Sequence, residues 1–103
     1  MERIEKLRTY LQASPTDSFL QHALALEYIK LGDDTQAREL FGAILQREPG
    51  YVGSYYHLAK LLERLGETEL AIDWYETGMA IAKAAGDNHS YNELQMAHED
   101  LVY

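Results

Sequence analysis

Apolar residues recur at spacings of three and four along nearly the whole chain, the period of a helix buried on one face. Ile4, Leu7, Tyr10 and Leu11 form the first stripe, just before Pro15. Leu20, Leu24, Tyr28 and Leu31 form the second, and Ala37, Leu40, Phe41, Ile44 and Leu45 the third. Tyr55, Leu58, Leu62 and Leu65 make the fourth, followed by Ala71, Trp74, Tyr75, Gly78 and Met79. Tyr91, Leu94, Ala97, His98 and Leu101 make the last. The breaks between stripes carry helix stop and start chemistry. Gly32 is a C-cap candidate after Leu31, and Asp33-Asp34-Thr35 offers N-cap oxygens to the next helix. Pro49-Gly50 stops that helix. Gly66 and Glu67-Thr68 repeat the first junction. The fifth helix is expected to run to Ala85 before Gly86, and Ser90-x-x-Glu93 reads as a capping box opening the sixth.

The stripes are copies of one another. Pro15 and Pro49 stand 34 residues apart. At the same offset Leu24 meets Leu58, Ala25 meets Ala59, Leu31 meets Leu65, Gly32 meets Gly66 and Ala37 meets Ala71. Phe41 matches Tyr75 and Leu45 matches Met79 conservatively. A period of this length signals stacked supersecondary units, here helical hairpins. The small residues suit a close crossing within each hairpin, Ala25 with Ala37 and Ala59 with Ala71. A larger side chain there would overpack, at about 1–3 kcal/mol. Phe41 and Tyr75 can fill the space beside each alanine.

On these residues the chain resembles the tetratricopeptide repeat family, whose signature is W-x2-L-G-x2-Y, then A-x3-F, then P. The first unit reads Gln21-x2-Leu24-Ala25-x2-Tyr28, Ala37-x3-Phe41, Pro49. The second reads Tyr55-x2-Leu58-Ala59-x2-Leu62, Ala71-x3-Tyr75, with Lys83 in place of the proline. The resemblance implies an all-α superhelix, a solenoid of about six antiparallel helices forming one domain over residues 1–103. Its parts are an N-terminal half-repeat helix at 2–12, repeats at 18–50 and 52–85, and a capping helix at 90–102. Trp74 and Met79 are expected beneath that cap.

Composition narrows the function. Nine Lys and Arg against 17 Asp and Glu give a net charge of −8. An acidic chain without a basic stripe is a poor nucleic-acid binder. The charge is uneven: residues 1–66 sum to −1, while residues 67–103 hold eight acids against Lys83 alone. The absence of cysteine removes disulfides, thiolate metal sites and thiol nucleophiles. The charged start lacks a signal-peptide apolar region, and no apolar run is long enough to span a membrane. The expectation is a soluble, cytoplasmic protein with no nucleic-acid or membrane partner.

No constellation of catalytic residues stands out. A phosphate-binding glycine loop and a nucleophile elbow are both lacking, and Gly50-x2-Gly53 is too short for the former. Glu67 and Glu69 sit at a helix start, where the dipole accounts for them. His89, Glu93 and His98 have partly helical spacing, but a helix beginning at Ser90 leaves His89 outside it. The chain is read as non-enzymatic, with no cofactor and no metal.

What remains is surface. The resemblance implies that the first helix of each hairpin lines a groove holding a peptide or helix of a protein partner. By position that groove takes Phe19, His22, Leu26, Ile29 and Lys30 from the first unit. It takes Tyr56, His57, Lys60 and Arg64 from the second, beside Glu63, and Tyr91 and Gln95 from the last helix. Phe19, Leu26 and Ile29 also share a face by spacing and would make an apolar patch. Alternatively, the N-terminal helix covers Leu26 and Ile29, and Tyr56 is packing. The Lys, Asn and Arg clamp by which some family members hold a carboxylate is incomplete, with His22, Leu26 and His57 at its key positions. Lys30, Lys60 and Arg64 leave an acidic peptide as an acceptable partner. The competing readings are self-association into a homo-oligomer and a fragment of a longer repeat array with a regulatory role.

Overall fold

The computed structural model describes residues 2–103, and among them six α-helices carry all the regular structure. They are α1 (Glu2–Ala13), α2 (Ser18–Lys30), α3 (Asp34–Arg47), α4 (Gly53–Arg64), α5 (Thr68–Ala85) and α6 (Asn88–Val102). Each expected stripe became a helix. The chain divides into two compact units, Met1–Glu48 and Pro49–Tyr103. The division falls at the proline that ends the first repeat.

Aspartates start three helices. Asp17, Asp33 and Asp87 accept hydrogen bonds from the backbone N–H of Leu20, Gln36 and Ser90, at 3.0, 3.2 and 3.0 Å. Each satisfies an amide that the helix leaves unpaired. Asp87 corrects the sequence reading of the last helix. Ser90 is not its N-cap: it lies one turn inside, and its hydroxyl donates back to Asp87 at 2.8 Å. An aspartate two residues before His89 outcompetes the serine because its two oxygens take both the Ser90 amide and the Ser90 hydroxyl. Gly32, Gly66 and Gly86 close α2, α4 and α5 with φ of 79°, 79° and 72°. That left-handed turn lets the next residue's amide reach back to Tyr28, Leu62 or Ala82.

In the first unit α1 packs on α2 and α2 on α3. Ile4, Leu7, Leu24, Tyr28, Ile44 and Leu45 are buried around Ala25, Ala37 and Phe41, which are fully so. Arg8 fixes α1 to α2, donating to the Tyr28 hydroxyl with its guanidinium 5.6 Å from the Tyr28 ring centre. In the second unit α5 packs on both α4 and α6. Its core holds Tyr55, Leu58, Leu61, Leu62, Tyr75 and Leu94 around Ala59, Ala71 and Ala82. The two alanine pairs are thus completely enclosed, as the repeat pattern requires. Gly78 is equally tight, facing Tyr55 and Leu94.

The structure corrects three core assignments. Leu31, Leu65 and Tyr10 are exposed. Leu31 and Leu65 are the C-cap residues just past the ends of α2 and α4, where the glycine turn carries the chain off the core. Trp74 and Met79 are half-buried, with Trp74 lying against the ring of Tyr55 at 5.8 Å. It is Gly78 that Leu94 of α6 meets directly.

Candidate interaction surface

Each unit has a recess on the exposed side of its first hairpin helix. In the first unit a recess of about 370 Å³ is lined by Phe19, His22, Leu26 and Lys30, with Arg3, Ala23 and Glu27. Phe19, His22, Leu26 and Lys30 come together because they lie three or four apart on α2. Phe19 is 71% exposed. His22 turns its ring edge onto Phe41 at 5.5 Å, which anchors the recess to the core. Leu26 is half-buried but still lines it, whereas Ile29 lies outside. Arg3 and Glu27 were missed by sequence reasoning, since only packing brings α1 beside α2. Glu27 is pinned between Lys30 at 3.0 Å and Arg3 at 3.4 Å. The Lys30 hydrogen bond above all holds its carboxyl below the usual range, against partial burial, with Arg3 adding to the effect.

In the second unit a recess of about 450 Å³ opens between α4 and α6. Tyr56 and Lys60 form the α4 wall; His89, Asn92, Glu93, Met96, Ala97 and Asp100 form the α6 wall. The Tyr56 ring is held edge-on by His57 at 5.5 Å and Tyr75 at 6.5 Å, and Lys60 Nζ lies 5.8 Å from its centre. Tyr56 is therefore both packed and accessible. Lys60 also pairs with Glu63 at 3.7 Å, and Glu63 accepts a hydrogen bond from the buried Tyr75 hydroxyl. His57 and Arg64 lie outside the recess lining. Burial pushes His57 below its ordinary value and Arg64 pushes the same way, while Glu93 opposes them. His57 thus adds no positive charge at neutral pH.

The α6 contribution differs from the sequence expectation. Tyr91 and Gln95 are half-buried and do not line the recess; Asn92, Glu93, Met96 and Asp100 do. Both sets flank the buried stripe of Leu94 and Ala97, on opposite sides. Periodicity defines the two flanks equally, and only packing decides which one turns toward α4.

His89 lies inside α6, one turn from Glu93, contrary to the expectation that it precedes the helix. His98 instead reaches across to Glu76 of α5 at 3.0 Å. Among the described residues no group of three or more His, Asp or Glu is arranged to hold a metal ion, and no helix is long and apolar enough to cross a membrane.

Comparison with known proteins agrees with the helical repeat fold. A family model described as tetratricopeptide repeat matches residues 52–84. The solution structure of a tetratricopeptide repeat domain protein from Salinibacter ruber is similar at 41% identity, over 85% of this chain and 89% of that one, with a TM-score of 0.82. A crystal structure of a tetratricopeptide repeat domain protein from the same organism gives 41% identity over 82% and 94%, with a TM-score of 0.79. The solution structure of a Bordetella parapertussis protein is similar at 26% identity over 95% and 85%, with a TM-score of 0.83. No curated protein matches the chain.

Proposed function

Because the chain belongs to the tetratricopeptide repeat family, we propose that it is a non-catalytic interaction module that holds a peptide or helix of a partner protein in a unit's own recess, on the exposed side of α2 in the first unit or between α4 and α6 in the second. The observation that carries this reading is the pair of recesses. Each is built on the first helix of a hairpin and each joins an apolar surface to charged rims. Tyr56 is an anchor of the kind that dominates interfaces, large and held edge-on by neighbouring rings, and Phe19 adds a ring that is 71% exposed. The basic groove residues are less available than the sequence suggested. Lys30 is paired with Glu27 and Lys60 with Glu63, so a partner carboxylate must displace an existing ion pair. Apolar contact therefore supplies the affinity, and charge supplies orientation.

Affinity capture comparing the native chain with a Tyr56→Ala, Lys60→Glu double variant tests this. Loss of the captured partner is expected; equal recovery would count against the groove. A second reading, self-association, draws on the exposure of Phe19 at 71% and Met96 at 69%. Light scattering that shows a monomer at high concentration removes it.

A further inference from the structure

The two recesses differ in sign, and the difference bears on the partner. The first unit's recess holds Arg3 and Lys30 against Glu27 alone. The second unit's recess holds Glu93 and Asp100 against Lys60 and the imidazole of His89, and Lys60 is already engaged by Glu63 and the Tyr56 ring. Neither acid has a Lys or Arg on its own helix, since residues 84–103 contain none; the bases of α6 are His89, one turn before Glu93, and His98, which pairs with Glu76. The surrounding unit deepens the effect. Residues 49–103 hold three bases against nine acids, a net −6. A field of that sign draws cations and repels a carboxylate peptide.

The geometry is more specific than the charge. Glu93 and Asp100 are seven residues apart on one helix, so about 10 Å separates them along its axis. Between them stands Met96, 69% exposed, with the Tyr56 ring on the facing wall and Ala97 in the lining. Methionine is unbranched and adapts to an apolar partner of irregular shape. The recess thus has an apolar middle with a carboxylate at each end.

Resting on the groove reading above, we propose that the α4–α6 recess binds a basic amphipathic helix of a partner protein. Two Arg or Lys side chains seven residues apart pair with Glu93 and Asp100, and an apolar side chain between them packs on Met96 and Tyr56. A helix laid along α6 has the same rise per residue, so its side chains at i and i+7 match the spacing of the two acids. The preference is the reverse of the acidic peptide that Lys60 and Arg64 suggest from sequence alone.

The test is a titration of the isotope-labelled 103-residue chain with two synthetic helix-forming peptides, followed by NMR. One carries two Arg seven residues apart with a Leu midway; the other carries Glu in place of both Arg. The Arg peptide is expected to shift the resonances of Tyr56, Met96 and Glu93. Its affinity should fall about tenfold in a Glu93→Gln, Asp100→Asn variant, as expected for two exposed ion pairs, and fall further as salt rises. Both positions are exposed, so the variant should keep the wild-type circular dichroism spectrum. An Arg peptide whose affinity is unchanged in the variant overturns the proposal. Binding of the Glu peptide at the same resonances overturns the basic preference and leaves the groove reading standing. Silence of both peptides on α2, α4 and α6 counts against both. Shifts of Tyr56 and Met96 that depend on protein concentration alone make a second copy the occupant, and also overturn it.

Discussion

A β-carbon added to Gly78 would stand 2.7 Å from the β-carbon of Tyr55, closer than side chains approach. It would also meet Tyr55 Cγ at 3.0 Å and Leu94 Cδ1 at 3.1 Å. The glycine is what lets α5 approach α4 while Leu94 of α6 closes the same point. Gly42, in α3 of the first unit, has nothing within 4 Å of the same position. The two glycines therefore predict opposite outcomes. Gly78→Ala should gain about 1 kcal/mol of helix propensity but lose more to overpacking against a rigid ring, for a net loss of about 1–2 kcal/mol. Gly42→Ala should stabilise by about 0.5–1 kcal/mol. Denaturant titration of both variants decides it; a stabilised Gly78→Ala would contradict the packing.

Tyr75 is fully buried and its hydroxyl donates to Glu63. Burial raises its pKa strongly, and the Glu63 hydrogen bond and charge add to the rise; burial raises Tyr55 in the same direction. A raised folded-state value means stability is intact below the unfolded value and falls as pH climbs beyond it. Above about pH 10 the unfolded chain releases protons that the folded chain keeps, so stability should drop by up to about 1.4 kcal/mol per pH unit for each such group. Tyr75→Phe should cost about 1–2 kcal/mol at neutral pH through the lost hydrogen bond. It should also flatten the alkaline limb of the stability curve, measured by chemical unfolding at stepped pH.

Asp87 titrates in the opposite range. Its hydrogen bonds with the Ser90 amide and then the Ser90 hydroxyl hold its carboxyl below the usual value. The stabilisation is therefore present above the ordinary carboxylate range and lost as pH falls through the lowered value. Asp87→Asn keeps an acceptor for the Ser90 amide but removes the titration. The wild type should lose more stability than the variant between about pH 5 and pH 2. Equal acid sensitivity would show that the cap is not engaged.

Ser18 is buried at the start of α2, and its hydroxyl links the end of α3 to it. It donates to Glu48 at 2.5 Å and accepts from Arg47 at 2.8 Å, while Arg47 also donates to Gln21 at 2.8 Å. Ser18→Ala removes the shared oxygen, and the two charged partners can turn to water. A loss of about 1 kcal/mol is expected, with helical content unchanged by circular dichroism. A loss below the error of the measurement would mean water replaces the hydroxyl fully.

Much of this protein was legible without coordinates. The period of 34 residues, the six helices, the glycine turns after Leu31 and Leu65, and the enclosed alanines at 25, 37, 59 and 71 all follow from the sequence. Helix periodicity and left-handed turns are local properties, and a repeat states each of them twice. The small residues could be read because the closest crossing in each hairpin admits nothing larger.

Tertiary structure decided which side of a helix faces what. It put Asn92, Glu93, Met96 and Asp100 into the α4–α6 recess in place of Tyr91 and Gln95, and it brought Arg3 to Glu27. It also engaged Lys30 and Lys60 with neighbouring glutamates, so each recess has less free positive charge than the sequence suggests. A helix offers two equivalent flanks beside its buried stripe. Which flank is used, and which charges are already paired, depends on the neighbouring helix; the period alone is silent on both.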